Sequence, residues 1–340
     1  GVRPNIVAIY KGNKTDRTVW IMSHLDVVPP GEMSMWKSNP YELIVEGDKL
    51  IGRGVEDNQQ AIVASLLVAK ALMDNNIRMD FNLGLLFCAD EETGSGYGAD
   101  YVVENRKDIF SPSDMFFVPD SGVEDGSMIE VAEKSILWMK VKTMGKQCHA
   151  SRPKLGINAF KAASDLVTRI DKLYKVFKHK DKLYEPPHST FEPTKKEANV
   201  PNVNTIPGED VFYIDMRVMP VYKLEEVETK LREMADEVEK KYGVKIYFDY
   251  LQKAQAAPPT DPESEIVVAL KKSIKEVLGV KPKVYGIGGG TVAAFFRRMG
   301  LPTVVYSKLN ESAHQPNECC YISNIISDAR VFLNALGKIR

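Results

Sequence analysis

Short apolar segments that alternate with a helical segment constrain the fold of this chain more than any other feature. Residues 19–22, 82–88 and 115–118 are short and almost wholly apolar, which is typical of buried strands. Residues 59–73 are rich in Ala and Leu and contain neither Gly nor Pro, which predicts a mostly buried helix. This order of strand, helix and strand predicts an α/β sheet with helices on its faces.

A different pattern begins after residue 133. Residues 135–145 and 211–219 alternate apolar and polar side chains, which predicts half-exposed antiparallel strands. Helices are predicted near 157–176 and over 222–243, and the second of these is amphipathic and ends at a glycine. The polar, Pro-containing stretch 178–202 is predicted to form a long surface loop.

The α/β pattern resumes after a Pro-containing linker at 255–264, with helices predicted at 265–278 and 323–337. A smaller domain is therefore inserted into a larger one. We predict a discontinuous larger α/β domain formed by residues 1–133 and 253–340, and an inserted α+β domain formed by residues 134–252.

Charge and cysteine content exclude several classes of protein. Lys and Arg total 45 and Asp and Glu total 46, so the net charge is 45 − 46 = −1, and we expect no nucleic-acid partner. We also expect no membrane span, because no apolar run approaches the ~18 residues that one requires. Four irregularly spaced cysteines indicate neither a disulfide framework nor a C-x-x-C zinc site. The opening residues are typical of a strand rather than of a signal peptide, so we expect a cytoplasmic protein.

Potential metal ligands follow the predicted strands. His24 and Asp26 stand two residues apart at the end of the first strand, so their side chains leave the same face. A metal-bound imidazole usually needs an oxygen on its other ring nitrogen. Asp26 can meet this need for His24, or it can orient another element. A lone histidine at a strand end is more often structural, so this pair alone decides nothing.

Further acids and a second histidine occupy comparable positions. Asp57 lies just ahead of the predicted helix, where it is either a helix cap or a carboxylate that bridges two metal ions. The acids at 90–92 follow the second strand, where open α/β sheets carry their sites, and they form either a solvated turn or a metal site. Asp120 ends the third strand, and His314 follows a strand near 303–306.

Together these side chains form a coherent ligand set. Two imidazoles and three carboxylates suit a pair of zinc-like ions better than calcium or magnesium. Two such ions would lower the pKa of a water held between them and would clamp both the attacking and the developing oxygen. Glu91 and Glu92 would alternate across an extended backbone, so Glu91 is better used as a general base than as a ligand. The candidate ligands are His24, Asp57, Glu92, Asp120 and His314.

With these residues in this order and spacing, the chain resembles the acetylornithine deacetylase/succinyl-diaminopimelate desuccinylase family of zinc metallopeptidases. That family also includes aminoacylases, glutamate carboxypeptidase and carnosine-type dipeptidases. The resemblance implies a zinc-exopeptidase-like catalytic domain with a mixed, mainly parallel sheet, and a ferredoxin-like lid and dimerisation domain. It also implies two divalent metal ions. Zinc is the preferred ion, with cobalt and manganese as alternatives. His24 and Asp120 are implied on one ion and Glu92 and His314 on the other, with Asp57 bridging them.

The same resemblance implies roles for residues of the inserted domain and of a glycine-rich loop. His149 is implied to polarise the scissile carbonyl, and in dimeric family members it comes from the partner subunit. Asn204 and Arg217 are implied to bind the substrate carboxylate, and Gly289 and Gly290 belong to a loop like the family's substrate loop. The residues alone favour a surface histidine for His149 and a solvated charge for Arg217, although a guanidinium fork suits a carboxylate.

Three features depart from the family pattern. Gln59 and Gln60 stand where many relatives carry a Lys-Gly pair. Asp120 stands where deacylases and carboxypeptidases often have Glu, and the shorter acid is more typical of dipeptidases and aminopeptidases. The chain starts about 20 residues before His24, whereas relatives usually carry a longer region there, and a helix missing from that region would expose apolar surface.

Three functional hypotheses follow. The leading one is a peptidase that cleaves dipeptides or short peptides with a free carboxylate, works as a homodimer through the inserted domain, and uses Asp26 and His149 beside Glu91 in catalysis. The second is an N-acyl-amino-acid deacylase of the desuccinylase or deacetylase kind, using the same site. The third is a binding module that kept the fold and lost the reaction.

Overall fold

The computed structural model describes residues 2–340 and divides into two compact units. The first unit comprises Gly1–Ala132, Ala257–Tyr285 and Thr291–Arg340, and the second comprises Glu133–Ala256 and Gly286–Gly290. Residues 286–290 were predicted to lie in the larger domain, whereas they cluster with the second unit. The reason is local: the Gly286 N–H donates to Leu183 O at 2.6 Å, and Gly288 O accepts from Arg217 Nη1 at 2.9 Å.

The helices and strands follow one another along the chain in three stretches. Before the second unit the chain forms β1 (Ile6–Tyr10), β2 (Thr18–His24), β3 (Ile44–Glu46), β4 (Lys49–Ile51), α1 (Gln60–Asp74), β5 (Asn82–Cys88), α2 (Ala99–Asn105), β6 (Met115–Gly122) and β7 (Met128–Glu133). It continues with β8 (Ser135–Met144), β9 (Cys148–His149), α3 (Ala159–Ile170), α4 (Leu173–Val176), β10 (Thr190–Lys196), β11 (Thr205–Ile206), β12 (Glu209–Val218), α5 (Leu224–Tyr242) and β13 (Lys245–Ala254). It ends with α6 (Glu265–Leu278), β14 (Lys283–Ile287), α7 (Ala293–Arg298), β15 (Thr303–Ser307), β16 (Cys319–Tyr321) and α8 (Ile322–Leu336).

The large sheet has helices packed on both faces. Within residues 2–340 its strand order is β1-β5-β2-β6-β15-β7-β14, with β5, β2, β6 and β15 parallel and β1 and β7 antiparallel to their neighbours. Adjacent residues of β6 point to opposite faces. Phe116 stacks on Phe296 of α7 at a centroid distance of 4.0 Å, whereas Phe117 contacts Phe332 of α8 at 5.4 Å. This mixed, mainly parallel sheet confirms the predicted α/β class.

Parallel pairing brings the carboxyl ends of three strands to one edge of the sheet. β2 lies between β5 and β6, and His24 at the end of β2 is in register with Cys88 at the end of β5. The opposite end of β2 is held by Asp114, whose Oδ1 accepts from the Thr18 amide at 2.7 Å and whose Oδ2 accepts from the Trp20 indole N–H at 2.8 Å. Asp114 thus anchors the start of the strand whose end carries His24.

The second unit is a smaller α+β assembly. Its antiparallel sheet has the strand order β10-β12-β8-β13. Helices α3 and α5 pack against the sheet, and side chains from alternate positions of β8 and β12 form the buried core with them. The core includes Leu137, Met139, Ile214, Met216 and Leu231.

Two local predictions were wrong, and one small sheet was missed. The stretch 178–202 is not all loop, because β10 (Thr190–Lys196) lies within it; Pro193 sits at a register shift on this edge strand, where proline is tolerated. The helix expected near 157–176 is two helices that break between Ile170 and Leu173. The small sheet with strand order β16-β4-β3 was not foreseen, because its strands are only three residues long.

Membrane spans and a disulfide framework were not predicted, and both points can be compared with residues 2–340, which the structure describes. In residues 2–340 no helix combines the length and the apolar character that crossing a bilayer requires. Over the same residues Cys88, Cys148, Cys319 and Cys320 are free thiols.

A buried carboxyl holds the end of β15 to α8. Asp328 is almost wholly buried, its Oδ2 accepts from Ser307 Oγ at 2.7 Å, and the Lys308 amide donates to both of its oxygens at 3.1 Å. Burial raises the pKa of Asp328 to about 7, although these hydrogen bonds oppose the rise. The folded chain therefore favours the protonated form of this carboxyl.

We predict that Asp328→Asn flattens the pH dependence of thermal stability. The pKa of Asp328 is higher in the folded chain than the ~4 of an unfolded chain, so the stability from its protonated form is fully present below about pH 4 and is lost as the pH rises through 7. About three pKa units correspond to on the order of 4 kcal/mol, which amounts to several degrees in melting temperature. Calorimetry at pH 5 and pH 8 measures the effect, with the exposed Asp16→Asn as control. If the melting temperature falls by the same amount between pH 5 and pH 8 in Asp328→Asn and in wild type, the prediction is contradicted.

Candidate metal centre

The predicted ligands meet at the carboxyl edge of the parallel strands. His24 ends β2, the acids at 90–92 follow β5, and Asp120 lies on β6. Asp57 lies in an irregular turn, Val55–Gln59, directly ahead of α1, and His314 lies in the loop between β15 and β16. The cap position of α1 is Gln59, so the interpretation of Asp57 as a helix cap is wrong.

The first group of potential ligands surrounds a buried imidazole. His24 Nε2 lies 2.7 Å from Asp57 Oδ1 and 3.3 Å from Asp120 Oδ1. Its other ring nitrogen, Nδ1, lies 2.9 Å from the backbone carbonyl of Asp26, to which it can donate. A donor proton on Nδ1 leaves Nε2 as the atom that is available to a metal ion.

The second group shares Asp57 with the first. Asp57 Oδ2 lies 3.1 Å from His314 Nε2, which is 3.2 Å from Glu92 Oε2. The two oxygens of Asp57 thus face two different imidazoles. In each group of three, one donor atom per residue lies within 4.8 Å of the others.

The charges of these groups favour bound cations. Burial alone lowers the pKa of His24, but the carboxylates of Asp120, Asp26 and Asp57 raise it well above its usual range. Burial also raises the pKa of Glu92, and the neighbouring charge of Asp57 adds to the rise. Imidazole and carboxylate donors crowded in this way suit borderline divalent ions, so the residues present fit a pair of metal ions.

The turn that carries Glu91 and Glu92 differs from the extended backbone assumed in the sequence analysis. Residues Glu91–Thr93 form a 3₁₀ turn, and Asp90 before it adopts a left-handed conformation with φ of 68°. Asp90 is buried, and its Oδ2 accepts from the Tyr97 amide at 2.9 Å, so the acidic segment is not a solvated turn.

Asp26 fixes this turn rather than the imidazole. Its Oδ1 and Oδ2 accept from the amides of Glu91 and Glu92, each at 3.1 Å, whereas its carboxylate is 3.6 Å from His24 Nδ1. Burial raises the pKa of Asp26, but the nearby His24 and the hydrogen bonds from these two amides lower it more, so it lies below its usual value. Of the two uses left open for Asp26, the geometry favours the orientation of another element.

Glu91 lies in surroundings that raise its pKa. Burial raises the pKa of Glu91 to about 8, and the negative charge of Asp120 adds to the rise. The Glu92 side chain, in contrast, faces His314. Adjacent acids in one turn thus have different surroundings.

Three further residues support the site and were missed by the sequence analysis. Asn58 Nδ2 donates to Asp120 Oδ1 and Pro119 O, each at 2.8 Å, and its Oδ1 accepts from the His24 amide at 3.3 Å. Glu56 and Glu318 are buried behind the segments that carry Asp57 and His314. The only sequence feature that could have identified Glu56 and Asn58 is their position next to Asp57. No sequence motif identifies Glu318 as a partner of the Asp57 segment.

His149 and Asn204 lie near one another in the second unit. β9 and β11 pair through His149 and Thr205, and Asn204 O accepts from the Ala150 amide at 2.8 Å. His149 is exposed, and its Nδ1 accepts from the Ser151 amide at 3.2 Å. A neutral His149 therefore carries its proton on Nε2, where it can serve as a donor.

Arg217 is tied to the glycine-rich loop of the second unit. Its Nε and Nη2 donate to the two oxygens of Asp215 at 2.7 and 3.0 Å, and its Nη1 donates to Gly288 O at 2.9 Å. The guanidinium also lies over the Trp138 ring, 5.4 Å from its centroid. Gly289 and Gly290 continue the same loop within the second unit.

Comparison with known proteins identifies the family. The model of peptidase family M20/M25/M40 matches residues 20–338. An uncharacterized metallohydrolase of Methanocaldococcus jannaschii is 42% identical, over 98% of this chain and 84% of its own length. This chain belongs to the M20/M25/M40 family.

More distant relatives are also similar to this chain. A succinyl-diaminopimelate desuccinylase of Nitratiruptor is 25% identical, over 91% of this chain and 81% of its own length. The crystal structure of human carnosine dipeptidase 1 has a TM-score of 0.71 at 18% identity and covers 99% of this chain and 82% of that one, which shows a shared fold.

Family membership confirms the resemblance drawn from the sequence and the enzyme class that it implied. The protein is an M20-family metallohydrolase that acts on amide or peptide bonds and uses divalent metal. The hypothesis of a non-catalytic binding module is therefore set aside.

Proposed function

We propose that this M20-family protein is a two-metal hydrolase. The observation that supports this most directly is Asp57, whose Oδ1 is 2.7 Å from His24 Nε2 and whose Oδ2 is 3.1 Å from His314 Nε2. A carboxylate shared in this way suits the bridging position of a two-metal centre. The proposed ligands are His24, Asp57 and Asp120 for one ion, and Asp57, Glu92 and His314 for the other.

Zinc is the ion that we propose, with cobalt and manganese as alternatives. Imidazole nitrogens mixed with carboxylate oxygens suit zinc, whereas calcium and magnesium prefer oxygen ligands. When bound, two such ions would polarise the substrate carbonyl and lower the pKa of water at the site.

Glu91 is proposed as the general base. Its carboxylate takes a proton from the attacking water and then returns it to the leaving nitrogen, which are the two proton transfers of amide hydrolysis. Burial supports this role because it raises the pKa of Glu91 to about 8, within the range where a group can both accept and return a proton. Asp26 supports the same step because it holds the Glu91 amide.

Residues of the second unit are proposed to bind the substrate. His149, with its proton on Nε2, would donate to the scissile carbonyl oxygen, and the backbone of Gly289 and Gly290 would line the substrate loop. Asn204 and Arg217 would bind the substrate carboxylate. The rigidity of Arg217 supports this role, since Asp215 and Trp138 fix the plane of its guanidinium before any substrate arrives.

Dipeptides and short peptides with a free carboxylate are the substrates that we propose. The short acid Asp120 and the carboxylate-binding chemistry of Arg217 support this choice. N-acyl amino acids are the second candidate, because relatives named succinyl-diaminopimelate desuccinylase are similar over most of the chain. Both classes present an amide beside a carboxylate.

A substrate panel separates these two candidates. Protein stripped of metal and reloaded with zinc, cobalt or manganese is assayed on dipeptides, N-acetyl amino acids and N-succinyl amino acids. We expect metal-restored cleavage of dipeptides. Cleavage of acyl amino acids alone would contradict the peptide assignment and support a deacylase.

Glu91→Gln tests the general base. We expect kcat to fall by about 10²- to 10⁴-fold, because the amide cannot take the proton of the attacking water. The bound metal content should stay unchanged, because Glu91 is not one of the proposed ligands. The exposed Glu124→Gln is the control. Turnover of Glu91→Gln at the wild-type rate would refute the mechanism.

A cytoplasmic homodimer formed through the second unit is the assembly that we propose. The free cysteines support a reducing compartment. Support for the dimer comes from β13, an edge strand on which Tyr247 and Leu251 are 54% and 59% exposed, since edge strands with apolar side chains pair readily with another chain. Sedimentation equilibrium should give twice the 38.1 kDa chain mass, and a monomeric mass would exclude the dimer.

A further inference from the structure

Two buried glutamates that the proposed mechanism does not use connect the segments that carry Asp57 and His314. Glu56 precedes Asp57 and is 2% exposed, and Glu318 follows His314 by four residues and is fully buried. Each side chain reaches the backbone of the other segment. We refer to Glu56 and Glu318 together as the carboxylate brace.

Glu318 holds the turn that leads into Asp57. Its Oε2 accepts from Arg53 Nη1 at 2.6 Å and from the Gly54 amide at 3.0 Å. Its Oε1 accepts from the amides of Glu56 at 2.9 Å and Asp57 at 3.0 Å. Both oxygens are therefore satisfied, and the amide of the proposed bridging ligand is one of the donors.

Glu56 holds the loop that leads into His314. Its Oε1 accepts from the Asn310 amide, and its Oε2 accepts from the Ser312 amide at 2.5 Å and from Ser312 Oγ at 2.6 Å. Ser312 Oγ also lies 2.7 Å from Cys319 O and 2.9 Å from the Cys319 amide. Glu56 and Ser312 therefore close residues 312–319 into a fixed loop that contains His314.

His314 depends on such support more than the other proposed ligands do. His24 is buried at the end of a strand and is 2% exposed, whereas the His314 side chain is 55% exposed. His314 also adopts a positive φ of 64°, which a side chain with a Cβ rarely occupies unless its surroundings impose it. Among the contacts that hold this loop from outside, Glu56 binds Ser312 two residues before His314. On the other side of His314, Asn317 contacts Met35 O at 2.9 Å and the Lys37 amide at 2.8 Å.

We propose that the carboxylate brace positions His314 relative to Asp57 and thereby sets the affinity of the ion held by Asp57, Glu92 and His314. Glu56 acts chiefly on this ion, because the loop that its carboxylate holds carries His314 and no ligand of the group around His24. Glu318 acts on both ions, because it binds the amide of the shared Asp57. This inference rests on the two-metal assignment of the proposed function.

The test compares variants that loosen the His314 loop with a matched control. Glu56→Gln keeps the size of the side chain but directs an NH₂ group at a backbone N–H or a hydroxyl. Ser312→Ala is milder, because it removes only the hydroxyl that contacts Glu56 and Cys319. Asp114→Asn is the control: like Glu56, Asp114 is buried and accepts from two amides and one side chain, but it lies at the opposite end of β2.

Equilibrium dialysis against zinc measures both affinities of each protein, and visible absorption of the cobalt-loaded protein reports the ligand field. We expect wild type and Asp114→Asn to bind two ions per chain. Glu56→Gln and Ser312→Ala should retain one ion with unchanged affinity and bind the other at least about tenfold more weakly, as loss of an orienting contact does. The cobalt spectrum should change only in the absorption of the ion held by Asp57, Glu92 and His314.

The remaining outcomes overturn the inference in distinguishable ways. Unchanged affinity for both ions in Glu56→Gln and Ser312→Ala would refute the brace while leaving the two-metal assignment intact. Equal weakening of both ions, or the same weakening in Asp114→Asn, would show a general loss of stability instead of positioning. A wild-type protein that binds fewer than two ions would refute the two-metal assignment and the brace with it. If Glu56→Gln fails to fold by circular dichroism, Ser312→Ala decides between these outcomes.

Discussion

Repulsion between carboxylates at one edge of the parallel sheet is the constraint around which this site is organised. Asp57, Glu92 and Asp120 lie within a few ångströms of two imidazoles, and a buried negative charge is costly unless something compensates it. The protein itself compensates the charge of other nearby acids. Asp26 accepts hydrogen bonds from two backbone amides, and Glu318 accepts them from three backbone amides and one guanidinium. Carboxylates that accept several hydrogen bonds from backbone amides therefore hold the backbone in place. Carboxylates without such donors remain available to bind cations.

The fold of the large unit and the proposed ligands followed from the sequence for one physical reason. Buried parallel strands are continuous apolar runs, and their carboxyl ends must share an edge, so polar residues after each run are brought together. β2, β5 and β6 were foreseen in this way, and His24 and Asp120 with them. Glu91 was assigned as a base on a wrong premise, because its backbone is a 3₁₀ turn held by Asp26 and is not extended.

The parts that could not be predicted depend on partners that are far apart in the chain. Glu318 binds amides more than 260 residues away, and Asn58 reaches both the amide of His24 and the carboxylate of Asp120. No local pattern marks such contacts, since a glutamate or an asparagine in a polar loop has the same sequence appearance whether it is solvated or buried. β10 was not predicted because its proline and lysines are compatible with a strand only at a sheet edge, and edge position depends on the tertiary fold.

The segment Gly286–Gly290 belongs to the second unit although the rest of its neighbourhood in the sequence belongs to the first. Arg217 donates to Gly288 O, and the Lys134 amide donates to Ile287 O at 3.0 Å. No contiguous stretch of the gene therefore encodes the second unit. A recombination event that exchanged only residues 133–256 between relatives would separate the Arg217 guanidinium from its native loop. The contact between Arg217 and this loop is thus inherited intact only when both segments come from the same relative.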